Sequence, residues 1–315
     1  MTNSDGTTPE FRKEDTIPTT SYVEMGTHLP TTTHPVNPTE KIKYTLTGNY
    51  PRLFDKPTID FLNLVLQSAF IPNAKILSAL LITLPSLGKT TYLELTEAID
   101  FVHYTNDISP KPLMEFLDEV EKGRKKFLVI PDYINTLGHG KNTVEATRSI
   151  LRSMIEEGYK GSDFYGQQRE YDHPVKAGLI SGITVDKVNE NTGRWKSDGF
   201  YSRLLPWSYS HSLSTSESIV KDKLDGARPI KEVKFKIIKN PEVPFLNDLM
   251  KEKVKVLSYQ LTQDKYIGAI YRPLEQVLSL VRANAILRDS KKIEQEDIDH
   301  IIELAIYINR KQNPI

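Results

Sequence analysis

The chain has 315 residues, with 41 lysines plus arginines, 41 aspartates plus glutamates and no cysteine. Its formal net charge of +0 directs the whole molecule to neither nucleic acid nor a membrane, and the missing thiols exclude disulfides, thiolate metal sites and cysteine nucleophiles. Hydrophobic content of 38% and charged content of 26% are those of a globular protein in water. The longest apolar run is far short of the ~20 residues of a membrane span. No basic-then-apolar leader opens the chain, so a cytoplasmic protein without a membrane partner is expected.

Residues 1–45 are rich in Thr, Ser, Pro and Asn, the composition of a disordered tail. An α/β core is expected over 46–212, a parallel sheet covered by helices. Ile59, Leu62, Leu64, Val65, Leu66 and Phe70 predict a helix at its start. An apolar run from Ile76 to Leu84, broken only by Ser78 and Thr83, then turns at Pro85-Ser86 and enters Gly88-Lys89-Thr90-Thr91. Helical composition follows from Tyr92 to Ile99.

Strand, tight loop and helix start is the order a phosphate-binding loop (P-loop) needs. Pro85, Ser86, Leu87, Gly88, Lys89, Thr90 and Thr91 would wrap the phosphates of ATP, with Lys89 on the β- and γ-phosphates and the Thr90 hydroxyl on Mg²⁺. The pattern G-x-x-x-x-G-K-[ST] asks for glycine at position 83, where this chain has Thr, a residue that disfavours φ > 0.

Further along, Phe101–Thr105 reads as a strand ending at Asn106-Asp107, and Pro110 and Pro112 break the chain before a helix from Leu113 to Glu121. Phe127–Ile130 is an apolar strand leading to Asp132, and a helix from Thr143 to Glu157 closes at Gly158. Residues 159–177 read as polar and irregular. Gly178–Thr184 and Phe200–Tyr209 read as two more strands, and near-continuous apolar strands alternating with helices argue for a parallel sheet. A linker is expected over 213–257, with a short strand at Val233, Phe235 and Ile237 whose Lys234 and Lys236 protect a sheet edge, and a helix. Periodic apolar residues from Tyr271 to Arg288 and from Gln295 to Asn309 predict a helical lid over 258–315.

Asp132, downstream of the lysine loop and at a strand end, has the placement of a Walker B aspartate in the Mg²⁺ shell. With these motifs, residues 56–310 resemble the AAA+ ATPases, and more narrowly the minichromosome maintenance helicase branch with its viral and plasmid relatives. Ser202-Arg203-Leu204 is similar to that branch's arginine-finger motif, which implies that Arg203 serves a neighbouring subunit's ATP site. Thr184 falls at the sensor-one position, and Arg272 in Tyr-Arg-Pro-Leu-Glu at the sensor-two position. The resemblance implies an ATP- and Mg²⁺-dependent ATPase, replication- or helicase-type, working as a homo-oligomeric ring, with a hexamer as the expected size. Nucleic acid would be met by a hairpin before sensor one, whose residues Tyr159, Lys160, Phe164, Tyr165, Arg169, Tyr171 and Lys176 combine aromatic and cationic groups.

The family carries Glu after the Walker B Asp; here Tyr133 follows. Either hydrolysis is weak, or the base is Glu145, Glu156 or Glu157 on the next helix, or it is Asp107, as in recombinase-type ATPases; Asp107 is favoured. The competing functions are a nucleotide-dependent switch or assembly protein with little turnover, and a recombinase-type P-loop ATPase.

Overall fold

The computed structural model describes residues 41–48, 55–164, 167–225, 231–262 and 271–308. Five strands form one parallel sheet: β2 (Ala79–Thr83), β3 (Val102–Tyr104), β4 (Phe127–Ile130), β7 (Gly178–Thr184) and β8 (Leu205–Ser208), in the order β3-β4-β7-β2-β8. Because side chains alternate across a strand, each strand supplies both faces. Ala79, Leu81, Phe127, Val129 and Ile180 pack in one core with α1 (Lys56–Ser68), α2 (Lys89–Glu94), α8 (Asp248–Thr262), α9 (Tyr271–Leu287) and α10 (Gln295–Ala305). Leu80, Ile82, Leu128, Ile130, Leu179 and Ile183 pack in the other with α3 (Pro110–Glu121), α5 (Lys141–Ile155) and α6 (Val185–Ser197).

The local starts are set by residue chemistry. Asp55 caps α1, its carboxylate accepting from the Thr58 amide at 3.0 Å. Pro110 and Pro112 do not break the chain but open α3, where the amides they lack have no helical partner. Helix α2 starts earlier than its composition suggested, at Lys89 rather than Tyr92, and stops at Glu94.

Several expectations are corrected. Of the tail read over 1–45, residues 1–40 lie outside the described residues, whereas 41–45 belong to β1 (Lys41–Gly48), paired antiparallel with β9 (Lys231–Ile238). Ile42, Tyr44 and Leu46 alternate with polar neighbours, a two-residue period that the Thr/Pro-rich stretch before them hides. Residues 159–177 are not irregular: β5 (Tyr159–Phe164) and β6 (Gln167–Val175) form an antiparallel hairpin. The strand read over Phe200–Tyr209 is only β8; before it, Tyr201–Arg203 is a single 3-10 turn, held by Asp198 accepting from the Phe200 amide at 2.9 Å. Lys236 is not a free edge charge, because its ammonium donates to the Leu287 carbonyl and to Asp289 at the end of α9. Two helices that the composition does not announce, α4 (Tyr133–Leu137) and α7 (Leu213–Leu224), flank the site described next. The expected lid region joins the same core as the sheet, and its first helix, α8, begins at Asp248 inside the expected linker. Among the described residues, no helix is long and apolar enough to cross a membrane.

Candidate functional site

Parallel strands end on one side of their sheet, and open α/β sheets bind ligands in the crevice at those carboxyl ends. Strand β2 ends at Thr83, and the chain turns through Leu84-Pro85-Ser86-Leu87-Gly88 into α2. Two of these residues have left-handed backbones, Ser86 at φ 66° and Gly88 at φ 83°. Glycine takes that conformation freely; serine does so at a cost, and such strain clusters at functional loops. The Thr at position 83 carries none of it. Thr83 is ordinary strand, and its hydroxyl accepts a hydrogen bond from Lys89 Nζ at 3.2 Å.

Lys89 folds back into this loop. It is 9% exposed and also donates to the Leu84 carbonyl at 3.3 Å. Burial pushes its ammonium below the usual lysine value, and the Asp132 carboxylate is near enough to pull it back up. Asp132 lies two residues beyond β4 and caps α4, accepting from the Ile134 amide at 3.1 Å. Between these two strands runs β7, whose last residue, Thr184, pairs in register with Thr83. The Thr184 hydroxyl makes no hydrogen bond among the described residues. Lys89, Thr184 and Asp132 thus stand at the ends of three neighbouring strands.

Gly182 makes this closeness attainable. A Cβ there would lie 2.4 Å from the Pro131 carbonyl oxygen and 3.4 Å from Lys89 Cβ. Gly182→Ala is expected to cost about 1–3 kcal/mol by overpacking and to weaken nucleotide binding by displacing Lys89. A thermal melt and a nucleotide titration check the two effects separately.

The loop lines a cleft of about 530 Å³ with Ser86, Leu87, Gly88, Lys89, Thr90 and Thr91 on one side. On the other side stand His211 and Ser216, Ile219 and Val220 of α7, the last three on one helical face. Tyr209 fixes the loop from below, its hydroxyl donating to the Leu87 carbonyl at 3.1 Å. The volume lies within the range of small-molecule sites.

Asp107 follows β3, the strand beside β4, on the same side of the sheet. It is bound by His139 Nε2 at 2.7 Å and approached by the Thr136 hydroxyl at 3.4 Å, from α4 and the turn after it. Tyr133 turns away: its ring is 1% exposed and packs with Trp195 and Phe200 in the core under α6. The other base candidates fall elsewhere. Glu145 pairs with Arg194 on α6, and Glu156 and Glu157 end α5 at the opposite side of the sheet. No family model matches this chain, and no curated protein does.

The two arginines do not join the cleft. Arg203 lies two residues before β8, whose first residue pairs with Ala79 at the beginning of β2. It is therefore separated from the lysine loop by at least the length of β2, about 13 Å at ~3.3 Å per residue. Arg203 Nη1 donates to the Gly199 carbonyl at 2.7 Å, and its guanidinium faces Glu156 and Glu157 at 3.6 and 3.7 Å. Arg272, in the first turn of α9, lies beside it, bound to both oxygens of Glu156 at 3.1 Å and to the Ser202 hydroxyl at 2.7 Å.

The hairpin residues divide as well. Tyr159 and Tyr171 are buried in the core, Tyr171 donating to Asp118 at 2.8 Å, and Arg169 is paired with Asp118 at 2.6 Å. Lys160 and Lys176 are exposed, and Tyr165 lies outside the described residues. No site role was read from the sequence for Thr136, His139, Tyr209, His211 or the α7 face. Only His139, between Gly138 and Gly140, bore a signal that could have been used.

Proposed function

We propose that the protein is an oligomeric, Mg²⁺-dependent ATPase of the AAA+ kind, acting on nucleic acid. One observation carries the reading: a buried lysine in a strained strand-to-helix loop and a strand-end aspartate lie on either side of a strand ending in threonine, next to a nucleotide-sized cleft. Few other ligands use that set. Lys89, released from Thr83 and Leu84, would neutralise β- and γ-phosphate charge, while the amides of residues 86–90 contact phosphate oxygens. Thr90, exposed on the cleft, and Asp132 would hold Mg²⁺, which supplies further neutralisation of phosphate charge. Thr184 would touch the terminal phosphate or the water attacking it. The base would lie on the glycosyl side of the cleft, against Ile219 and Val220.

Asp107 is the base that this reading favours by position: it follows β3 at the same end of the sheet as Lys89 and Asp132, whereas Glu156 and Glu157 lie at the opposite end and Glu145 is held by Arg194 of α6. Arg203 and Arg272, at the other end of the strands, can serve phosphates only on a second copy of the chain. Support for nucleic acid rests on Lys160 and Lys176 of the hairpin, fewer residues than the sequence offered.

A second reading, a nucleotide-gated switch with little turnover, is favoured by Tyr133, which leaves Asp132 with no neighbouring carboxylate. Steady-state hydrolysis with and without single-stranded DNA separates the two. In the motor reading, Asp107→Asn slows turnover by about 10²–10⁴-fold, the usual cost of a lost base, with ATP affinity unchanged. Wild-type turnover near the uncatalysed rate, with tight binding, makes the protein a switch; no binding at all removes both readings.

A further inference from the structure

Four chain segments meet at one carboxylate. Glu156, at the end of α5, is 16% exposed, and both of its oxygens accept from Arg272 Nε at 3.1 Å. Lys75, in the loop before β2, donates to it at 2.9 Å, and Arg203 Nε approaches to 3.6 Å. Arg272 Nη1 reaches across to Ser202, next to Arg203, and Gln276 of α9 donates to the Arg203 carbonyl at 3.3 Å. Glu156 thus ties the first turn of α9 to the 3-10 turn. Arg272 Nη2 makes no hydrogen bond among the described residues, and its side chain is 30% exposed.

We propose that Glu156 is a positioning residue: by fixing Arg272 through Nε and joining it to Arg203, it presents the two guanidiniums as one preformed unit to the phosphate cleft of a neighbouring copy. This rests on the ATPase reading above. The carboxylate is suited to the task because it stays ionised. Burial pushes it up, but Lys75 and Arg272 together hold it below the usual glutamate range. A fixed Nε leaves the outer edge of the guanidinium in a single orientation, whereas a free arginine would sample several rotamers. Preorganisation of that sort is what a transition-state contact requires.

The test is Glu156→Gln, which keeps shape and one acceptor but removes the charge. Turnover should fall on the order of 10–100-fold, the cost of losing an outer partner that orients a functional group, with ATP affinity unchanged. The loss should largely vanish in an Arg272→Ala background, and Glu156→Asp should restore part of it. Mixing Glu156→Gln with Lys89→Ala should recover activity, because one variant keeps an intact cleft and the other an intact arginine unit. A fold defect in Glu156→Gln would depress its own cleft and give no recovery. Wild-type turnover by Glu156→Gln overturns the proposal. So does failure of the mixture to recover when Arg272→Ala mixed with Lys89→Ala does. If wild-type protein neither binds nor hydrolyses ATP, the ATPase reading falls first and this one with it.

Discussion

Lys89→Ala is expected to abolish nucleotide binding or turnover while leaving the melting temperature unchanged or slightly raised. Both halves follow from where the ammonium sits. It is 9% exposed, and its hydrogen bonds at 3.2 and 3.3 Å are long for a charged donor. Desolvation of the charge is therefore only partly offset by these contacts, and burial is what depresses its pKa. Removing a poorly compensated buried cation relieves that penalty, so the folded state loses little. In the proposed nucleotide complex the same ammonium would meet several phosphate oxygens, and among the described residues no other lysine or arginine lines the cleft. Fluorescent-nucleotide titration with a parallel thermal melt checks the pair of effects. Normal hydrolysis by Lys89→Ala would exclude the loop from the reaction; loss of binding together with unfolding would make Lys89 a structural residue.

Arg203→Ala is expected to bind ATP normally and to hydrolyse it 10³–10⁵-fold more slowly, the order known for arginine fingers. Its distance from the loop of its own chain is what makes the expectation sharp, because the side chain cannot reach the phosphates there. Lys should not substitute. The planar fork at 203 bonds the Gly199 carbonyl through Nη1 while Nη2 faces Glu157 at 3.7 Å, two directions that a single ammonium cannot serve at once. Mixed with Lys89→Ala, the variant should regain activity above the sum of the two alone. No recovery in proven mixed oligomers would leave Arg203 as an ordinary partner of Glu156 and Glu157.

The sheet was legible because its strands are short apolar runs bounded by turn residues, as at Phe127–Ile130 and Gly178–Thr184. Their order was not, since periodicity carries no information on which strand neighbours which; that β7 separates β2 from β4 is a tertiary fact. Lys89 and Asp132 announce themselves by motif and strand-end position. The partners that hold the candidate site do not. His139 lies 32 residues from Asp107, and Arg272 lies 116 from Glu156, so neither pairing leaves a local pattern. Helix α7 was hidden for another reason: Leu213, Val220 and Leu224 are exposed, so no buried stripe marks it in a stretch of Ser and Thr. The motif places glycine at position 83, yet Thr is accommodated there because the left-handed turns fall at Ser86 and Gly88.

The ring of Trp207 on β8 is sandwiched between Phe61 of α1 at 4.2 Å and Tyr307 beyond α10 at 4.9 Å, and its indole N–H donates to Thr58 at 2.9 Å. Tyr307 also accepts from the Ser208 amide at 2.8 Å, so the chain after α10 covers the outer edge of β8. Mechanically this is a rivet through three layers. Each stacked pair adds about 0.5–1.5 kcal/mol beyond its buried area, so levering the C-terminal helices off the sheet would have to unstack two of them and open the shared core. Helix α7, by contrast, places no described residue in either core and shows Leu213, Val220 and Leu224 to solvent, so the cleft wall it forms lies outside that rivet.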